Sequence, residues 1–215
     1  MGMFSTDADI LGYEPAIFGD LHFASQVLCK GNNGAVDGVD FFAEGADFVS
    51  SGVQAGGVIY LCGGEGGLDG AYEIVSVESA EALTVSVLRG DDQQAPVSPG
   101  EGSGLFYRVS TFNPQAQEAF DSLTRYFGLR PGQPDGEYGA EDIVGSEVLR
   151  QVSLYMVLGM IYGSLNNSKD EYKARREYYE RLALKERQRC RVAVSKDADS
   201  GRCVMLGGSI RLCRE

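Results

Sequence analysis

The sequence has few of the residues on which metal binding and acyl-transfer chemistry depend. It contains one histidine, His22, and five cysteines, none of them spaced as C-x-x-C. A structural zinc site needs thiolates and imidazoles at short, regular spacing, so we expect no metal site. The G-x-S-x-G and H-E-x-x-H motifs are also missing. We therefore expect no catalytic residues and no cofactor, and we expect free thiols in a reducing compartment.

Positive charge is scarce as well. The chain has 19 Lys and Arg against 31 Asp and Glu, a net charge of −12. A free monomer of this charge is not expected to bind nucleic acid strongly, because such binding depends on neutralising phosphates. Residues 166–215 hold 13 Lys and Arg against 8 Asp and Glu, whereas residues 1–165 hold 6 against 23. This separation is typical of a basic surface helix, and it also favours head-to-tail attraction between copies.

Long apolar runs are missing too. The N-terminus has neither the basic start nor the apolar run of a signal peptide. The most apolar stretch, Val148 to Leu165, contains Arg150, two serines, a glutamine and two glycines. A membrane span needs about 20 consecutive apolar residues. We therefore interpret this stretch as a helix that is buried at the centre of a bundle or covered by neighbouring subunits.

Glycine, in contrast, is abundant in the first part of the chain. Most of the 29 glycines precede residue 150, which is typical of β-structure with many turns. Residues 1–34 predict an irregular, partly helical arm that ends in a turn at Lys30–Gly34. Residues 35–112 alternate apolar and polar side chains between turns, and this pattern predicts a small β-barrel or sandwich.

Helical spacing begins at Asn113. Asn113-Pro114 is typical of a helix start, and the apolar residues that follow recur on one helix face: Ala116, Phe120, Leu123 and Phe127. Ser168–Glu171 is a capping box that begins a charged helix, which runs to about Cys190. Residues 191–195 and 202–206 predict a β-hairpin.

The predicted fold class is α+β, with a small β-barrel-like domain followed by a helical domain. The helical domain is an antiparallel helix pair or bundle that ends in the hairpin. Four segments are predicted, namely an N-terminal arm, a β-rich domain, a helical domain with its hairpin and a C-terminal tail, at residues 1–34, 35–112, 113–206 and 207–215.

The C-terminal half resembles the head–tail connector proteins (adaptor or neck proteins) of tailed bacteriophages. Its apolar helix is followed by an Asn/Ser/Asp break, by the Tyr-rich charged segment DEYKARREYYERLALKERQR and by the turn VAVSKDADSG. This resemblance covers residues 143–206. The β-rich segment ahead of the helices is similar to an elaboration found in some phage neck proteins.

The resemblance implies a structural virion protein that is made in the host cytoplasm and located at the head–tail junction, with no membrane involved. Twelve copies would form a ring beneath the portal protein, and DNA would pass through the channel without specific binding. The ring would also carry the next neck or tail protein. The resemblance further implies that the C-terminal tail docks into the portal, through Ile210, Arg211 and Leu212.

We predict that packing between subunits uses the charged helix. Tyr and Arg dominate protein–protein contacts, so the predicted contact residues are Tyr172, Arg175, Arg176 and Tyr179. One alternative is a DNA-associated binding module that uses the basic helix 168–190, although acidic residues interleave with its basic ones. Another is a hydrolase built on the β domain, which would need a cleft containing a carboxyl with a raised pKa.

Overall fold

A computed structural model of the protein describes residues 3–165, 170–196 and 203–208. The chain folds as two units. The barrel unit is Thr6–Phe112, and the helical unit combines Met1–Ser5 with Asn113–Glu215. The α+β class predicted from the sequence is confirmed, with a closed barrel, five α-helices and a C-terminal hairpin among the described residues.

Six antiparallel strands close the barrel in the order β1-β2-β5-β4-β3-β6, and β6 pairs back onto β1. In chain order the strands are β1 Val27–Asp37, β2 Asp40–Ala43, β3 Val58–Gly63, β4 Leu68–Val77, β5 Ala82–Ser86 and β6 Gly102–Ser110. The predicted alternation in β6 is confirmed, because Leu105, Tyr107 and Val109 are all buried in the barrel core. The rings of Phe41 and Phe48 pack on Tyr107 there, with centroids 5.3 and 6.0 Å from it.

The segment expected to be a turn, Lys30–Gly34, is instead part of strand β1. A Cβ at residue 31 would lie 2.6 Å from the Tyr107 ring, and a Cβ at residue 34 would lie 2.8 Å from the Phe41 ring. The two glycines therefore let the core rings approach the strand backbone, which is a different use of glycine from a turn. The boundary predicted at residue 34 consequently falls inside the barrel.

The rest of the expected arm packs on the barrel as two short helices, α1 Asp7–Tyr13 and α2 Ala16–Asp20. Their buried side chains are Ile10, Leu11, Ile17 and Phe18. The guanidinium of Arg108, on β6, donates hydrogen bonds to the carbonyls of Phe18 and Gly19 at 2.5 and 2.9 Å. A cation at the last carbonyls of a helix satisfies acceptors that have no partner within the helix.

Asp7, the first residue of α1, is a buried carboxyl. Its Oδ1 accepts a hydrogen bond of 2.8 Å from the Phe112 amide, and the Thr111 side chain also hydrogen-bonds to it. Burial raises the pKa of Asp7 from 3.8 to about 6, against these hydrogen bonds, which lower it. Asp7 thus ties the first helix of the barrel unit to its last residues.

The helical unit contains α3 Asn113–Tyr126, α4 Glu147–Ser164 and α5 Asp170–Arg189. Its sheet has the order β7-β8-β9, with β7 Ile143–Val144, β8 Arg191–Val194 and β9 Val204–Gly207. The predicted hairpin is formed by β8 and β9. The sequence did not predict β7, a two-residue strand that pairs with β8.

Helix α4 is the central element of this unit. Ten of its 18 residues are buried, on all sides of the helix. It is therefore the central helix of a bundle and is covered mainly by its own chain. Within the part of the chain that the structure describes, no helix is long and apolar enough to cross a membrane.

We expect Gly31→Ala to lower the free energy of unfolding by about 1–3 kcal/mol, the usual cost of overpacking. The added Cβ would meet the buried Tyr107 ring, which Phe41 and Phe48 hold in place. The control is Gly70→Ala in β4, where the nearest atom to the added Cβ is the Tyr72 hydroxyl at 3.3 Å. Urea unfolding compares the two variants, and an equal loss in both would contradict this role of Gly31.

We expect Asp7→Asn to change how stability depends on pH. Because the pKa of Asp7 is raised to about 6 by folding, its stabilising contribution is complete below pH 4 and is lost as the pH rises through 6. The loss is about 3 kcal/mol for a shift of this size. The free energy of unfolding of the variant, relative to the wild type, should therefore rise by about that amount from pH 4 to pH 7. A constant difference across this range would contradict the account, and Asp37→Asn, at an exposed position, is the control.

Candidate functional site

The candidate site is the pair formed by helices α4 and α5. The two helices run antiparallel, because Gly163 near the end of α4 faces Arg176 near the start of α5, and Gly159 faces Glu180. A Cβ at residue 159 would lie 3.5 Å from Cγ of Glu180, and one at residue 163 would lie 3.6 Å from Cδ of Arg176. The glycine pair, one helical turn apart, therefore lets the side chains of α5 lie close to the α4 backbone.

Tyrosine rings hold the two helices together. The rings of Tyr162 and Tyr179 stack with centroids 5.9 Å apart and planes 5° apart. Tyr155 and Tyr172 extend the cluster, with centroids 6.2 Å from Tyr179 and 6.0 Å from Tyr162 respectively. Of the 20 residues of α5, Tyr179 and Ala183 are the buried ones. The attachment of α5 thus depends on a narrow strip of its surface.

The four predicted subunit contacts all lie on the α4 side of α5. The structure corrects the assignment of Tyr179, which is 6% exposed and packs inside its own chain. Arg175 pairs with Glu171 at 3.2 Å and donates a hydrogen bond to the Tyr162 hydroxyl. Tyr172 and Arg175 therefore fix α5 to α4 in the single chain, although both remain partly exposed.

Arg176 has a different position from the other three. It pairs with Glu180 at 2.7 Å, and its side chain lies at the edge of an open groove between α4 and α5.

The predicted docking residues Ile210, Arg211 and Leu212, together with the turn at residues 197–201, lie outside the described residues.

The groove has a volume of about 520 Å³ and an apolar floor. Met156 and Met160 from α4 form the floor with Ala183 and Leu184 from α5, and Leu184 is 47% exposed. This groove was not predicted from the sequence. The glycine spacing in α4 was the available signal, because small residues four apart let helices pack closely.

Arg187 lies at the groove with an incomplete set of partners. Its guanidinium stacks 4.4 Å from the ring centroid of Tyr126, and its buried Nε has no hydrogen-bond partner in the described part of the chain. Protein covers this Nε, so the attraction of Arg187 for a ligand in the groove comes from the positive charge of its guanidinium, which favours a carboxylate.

Charge separates between the two units of the chain. Residues 6–112 carry 3 Lys and Arg against 16 Asp and Glu, whereas residues 113–215 carry 16 against 15. Helix α5 alone has seven Lys and Arg against five Asp and Glu. The barrel unit is therefore strongly acidic, whereas the helical unit is nearly neutral and has a small excess of basic residues on α5.

Two thiols and one carboxyl of the described residues are wholly or partly buried. Burial raises the pKa of the Cys29 thiol to about 11 and also raises the pKa of Cys190, which keeps both thiols protonated. Asp7, with its raised pKa, is 4% exposed and already accepts a backbone hydrogen bond. It therefore does not lie in an open cleft, which a hydrolase would need. No group of three potential metal ligands occurs among residues 3–165, 170–196 and 203–208.

No family model matches the chain, and neither a curated protein nor a solved structure does. The acidic barrel unit, the helix pair and the groove are the features of the chain that bear on its function.

We expect Tyr179→Ala to lower the free energy of unfolding of the helical unit by about 3 kcal/mol, as for other large-to-small core substitutions. The control is the neighbouring residue: Tyr178 is 51% exposed and meets Tyr179 edge-on, with centroids 5.2 Å apart, so Tyr178→Ala should cost no more than about 1 kcal/mol. Chemical unfolding followed by circular dichroism measures both variants. Similar losses in the two would show that the tyrosine stack does not hold α5.

Proposed function

We propose that this protein is a structural component of the head–tail junction of a tailed phage. Twelve copies form a ring around the DNA channel, with the portal protein on one side and a neck or tail protein on the other. The ring works by assembly and carries out no reaction. The observation that carries the proposal is that one chain has two unlike surfaces, an acidic barrel unit and a helix pair with an open groove that has apolar lining residues and two arginines, one of them paired with Glu180.

Two unlike surfaces are what a ring requires. In a closed ring each copy contacts its neighbours through two different patches, one for each side, so the patches must complement each other rather than themselves. Opposite net charge gives the contact its direction and speeds its formation. The excess of negative charge in the barrel unit and the basic residues of α5 meet this condition.

The order of elements in the helical unit supports the same proposal. The apolar helix α4, the charged helix α5 and the hairpin of β8 and β9 follow one another in the order that characterises the connector resemblance. The hairpin continues toward the segment that contains Ile210, Arg211 and Leu212, and we propose that this segment docks into the portal.

Passage of DNA is consistent with the charge of the chain. A net charge of −12 disfavours tight binding of phosphates, so DNA would move through the channel without being retained. The arginines of α5 are partly neutralised within their own helix, because Arg175, Arg176 and Arg189 each lie within 3.5 Å of a glutamate. We therefore do not propose that helix α5 is a DNA-binding element.

We expect the purified wild-type chain to form a closed particle of several copies, alone or on an added portal ring. Arg175→Glu with Arg176→Glu should leave single chains, because two positive charges on α5 become negative. The matched control is Arg181→Glu with Lys185→Glu, which makes the same change in charge at two exposed positions of α5 outside the groove lining. Mass photometry gives the particle masses, and circular dichroism checks that α5 remains folded.

Each outcome of this experiment has its own meaning. A wild-type chain that stays single, both alone and with the portal ring, would contradict the proposed function. A double variant at 175 and 176 that assembles as well as the wild type would contradict the role of these arginines.

A further inference from the structure

The groove between α4 and α5 is shaped for an apolar ligand with a negative charge beside it. Leu184 and the two methionines leave an apolar floor open, and methionine side chains adapt to the ligand that covers them. Arg187, which also lines the groove, adds a positive charge. The partner should therefore present apolar side chains next to carboxylates.

The barrel unit displays a surface of this chemistry. Four large apolar side chains, between 38% and 56% exposed, lie at the end of α1 and along the loop after β5: Tyr13, Val87, Leu88 and Val97. A Cβ at Gly12 would lie 3.2 Å from Leu88, which places the α1 end beside the loop, and Val87 donates a backbone hydrogen bond to Val97. We call these four residues the barrel patch. Asp91 and Asp92 are exposed in the same loop.

The loop that carries the barrel patch is held in place by a buried ion pair. Arg89 pairs with Glu73 of β4 at 2.7 Å, and both side chains are buried. Arg89 Nη1 also donates to the carbonyls of Asp92 and Gln94, at 2.9 and 2.8 Å. The loop is thus fixed before any partner arrives, which lowers the entropy cost of docking. Exposed apolar side chains that lie near one another are typical of an interaction site.

We infer that the barrel patch of one copy docks into the α4–α5 groove of the next copy. The apolar residues of the patch cover Met156, Met160 and Leu184, and the carboxylates of Asp91 and Asp92 face Arg187. This contact is heterologous, since it joins two different surfaces, and repetition of such a contact generates a ring when the rotation closes. The inference rests on the proposed function and names the surfaces by which the ring forms.

Charge complementarity selects a second copy as the partner. The barrel unit has 16 acidic residues against 3 basic ones. The groove is lined by Arg176, Glu180 and Arg187, and because Arg176 pairs with Glu180, Arg187 supplies the net positive charge of the lining. The barrel patch and the groove are both open apolar surfaces of the same chain. Docking one into the other would cover both at once.

Two single variants test the two sides of the contact. Leu184→Glu places a charge in the groove floor, and Leu88→Glu places one in the barrel patch. Each should raise the concentration of half-assembly at least tenfold, a change of about 1.4 kcal/mol. The matched controls are Tyr178→Glu on α5 and Phe42→Glu on β2, which alter exposed apolar residues outside both surfaces and should leave assembly unchanged.

A charge exchange tests the pairing itself. Arg187→Asp alone, and Asp91→Arg with Asp92→Arg, should each weaken assembly, and a chain with all three substitutions should recover most of it. Such recovery is the sign of direct coupling between the two sites. Sedimentation velocity over a range of concentrations measures every variant, and circular dichroism checks folding.

The outcomes separate this inference from the proposed function. Rings that form equally well with Leu184→Glu and Leu88→Glu would overturn the docking of patch into groove and leave the proposed function standing. Loss of binding to an added portal ring, with assembly of the chain unchanged in Leu184→Glu, would assign the groove to the portal and also overturn the inference. A chain that forms no particle under any of these conditions would overturn both.

Discussion

The structure of the helical unit depends on the stack of Tyr162 against Tyr179. Helix α5 carries charge along most of its length, and burial of Tyr179 and Ala183 is what attaches it to α4. The glycine pair of α4 allows this close approach, and the groove opens beside it. Without the tyrosine stack, α4 would lose part of its cover and the arginines of α5 would lose their fixed positions. One aromatic contact therefore supports both the core of the unit and its proposed docking surface.

The barrel unit holds its surface segments in place by different interactions. Closure of the six strands pairs the whole sheet, and glycines in β1 admit the core rings to the backbone. Two buried charged groups then fix segments outside the sheet: Asp7 secures the start of α1, and Arg89 secures the loop of the barrel patch. Buried carboxylates and guanidinium groups are stable in such places because their hydrogen bonds are satisfied. The resulting surface is rigid, acidic and partly apolar.

Much of this fold was predictable from local sequence patterns. Short apolar and alternating runs located β3 to β6 but not β1 or β2. The cap at Asn113 and the apolar stretch from Val148 located helices α3 and α4, because these signals arise within a few neighbouring residues. The glycines of Lys30–Gly34 fitted either a turn or a strand. The structure has a strand there because the ring of Tyr107, far away in the sequence, packs against the backbone of Gly31. The role of Tyr179 was also not decidable, since an amphipathic strip does not reveal whether its partner belongs to the same chain. The groove was missed for the same reason: it exists only when two helices meet.

The central claim is that the α4–α5 pair is held together by the tyrosine stack and is also the surface on which the next copy docks. Hydrogen exchange, followed by mass spectrometry on dilute single chains and on assembled particles, tests this claim most directly. The account predicts slower exchange on assembly in peptides covering residues 176–187 and 87–97. Peptides from β1 should stay unchanged, because that strand is already paired on both sides. Exchange that is unchanged in residues 176–187 and in residues 87–97, with protection gained elsewhere, would contradict the account.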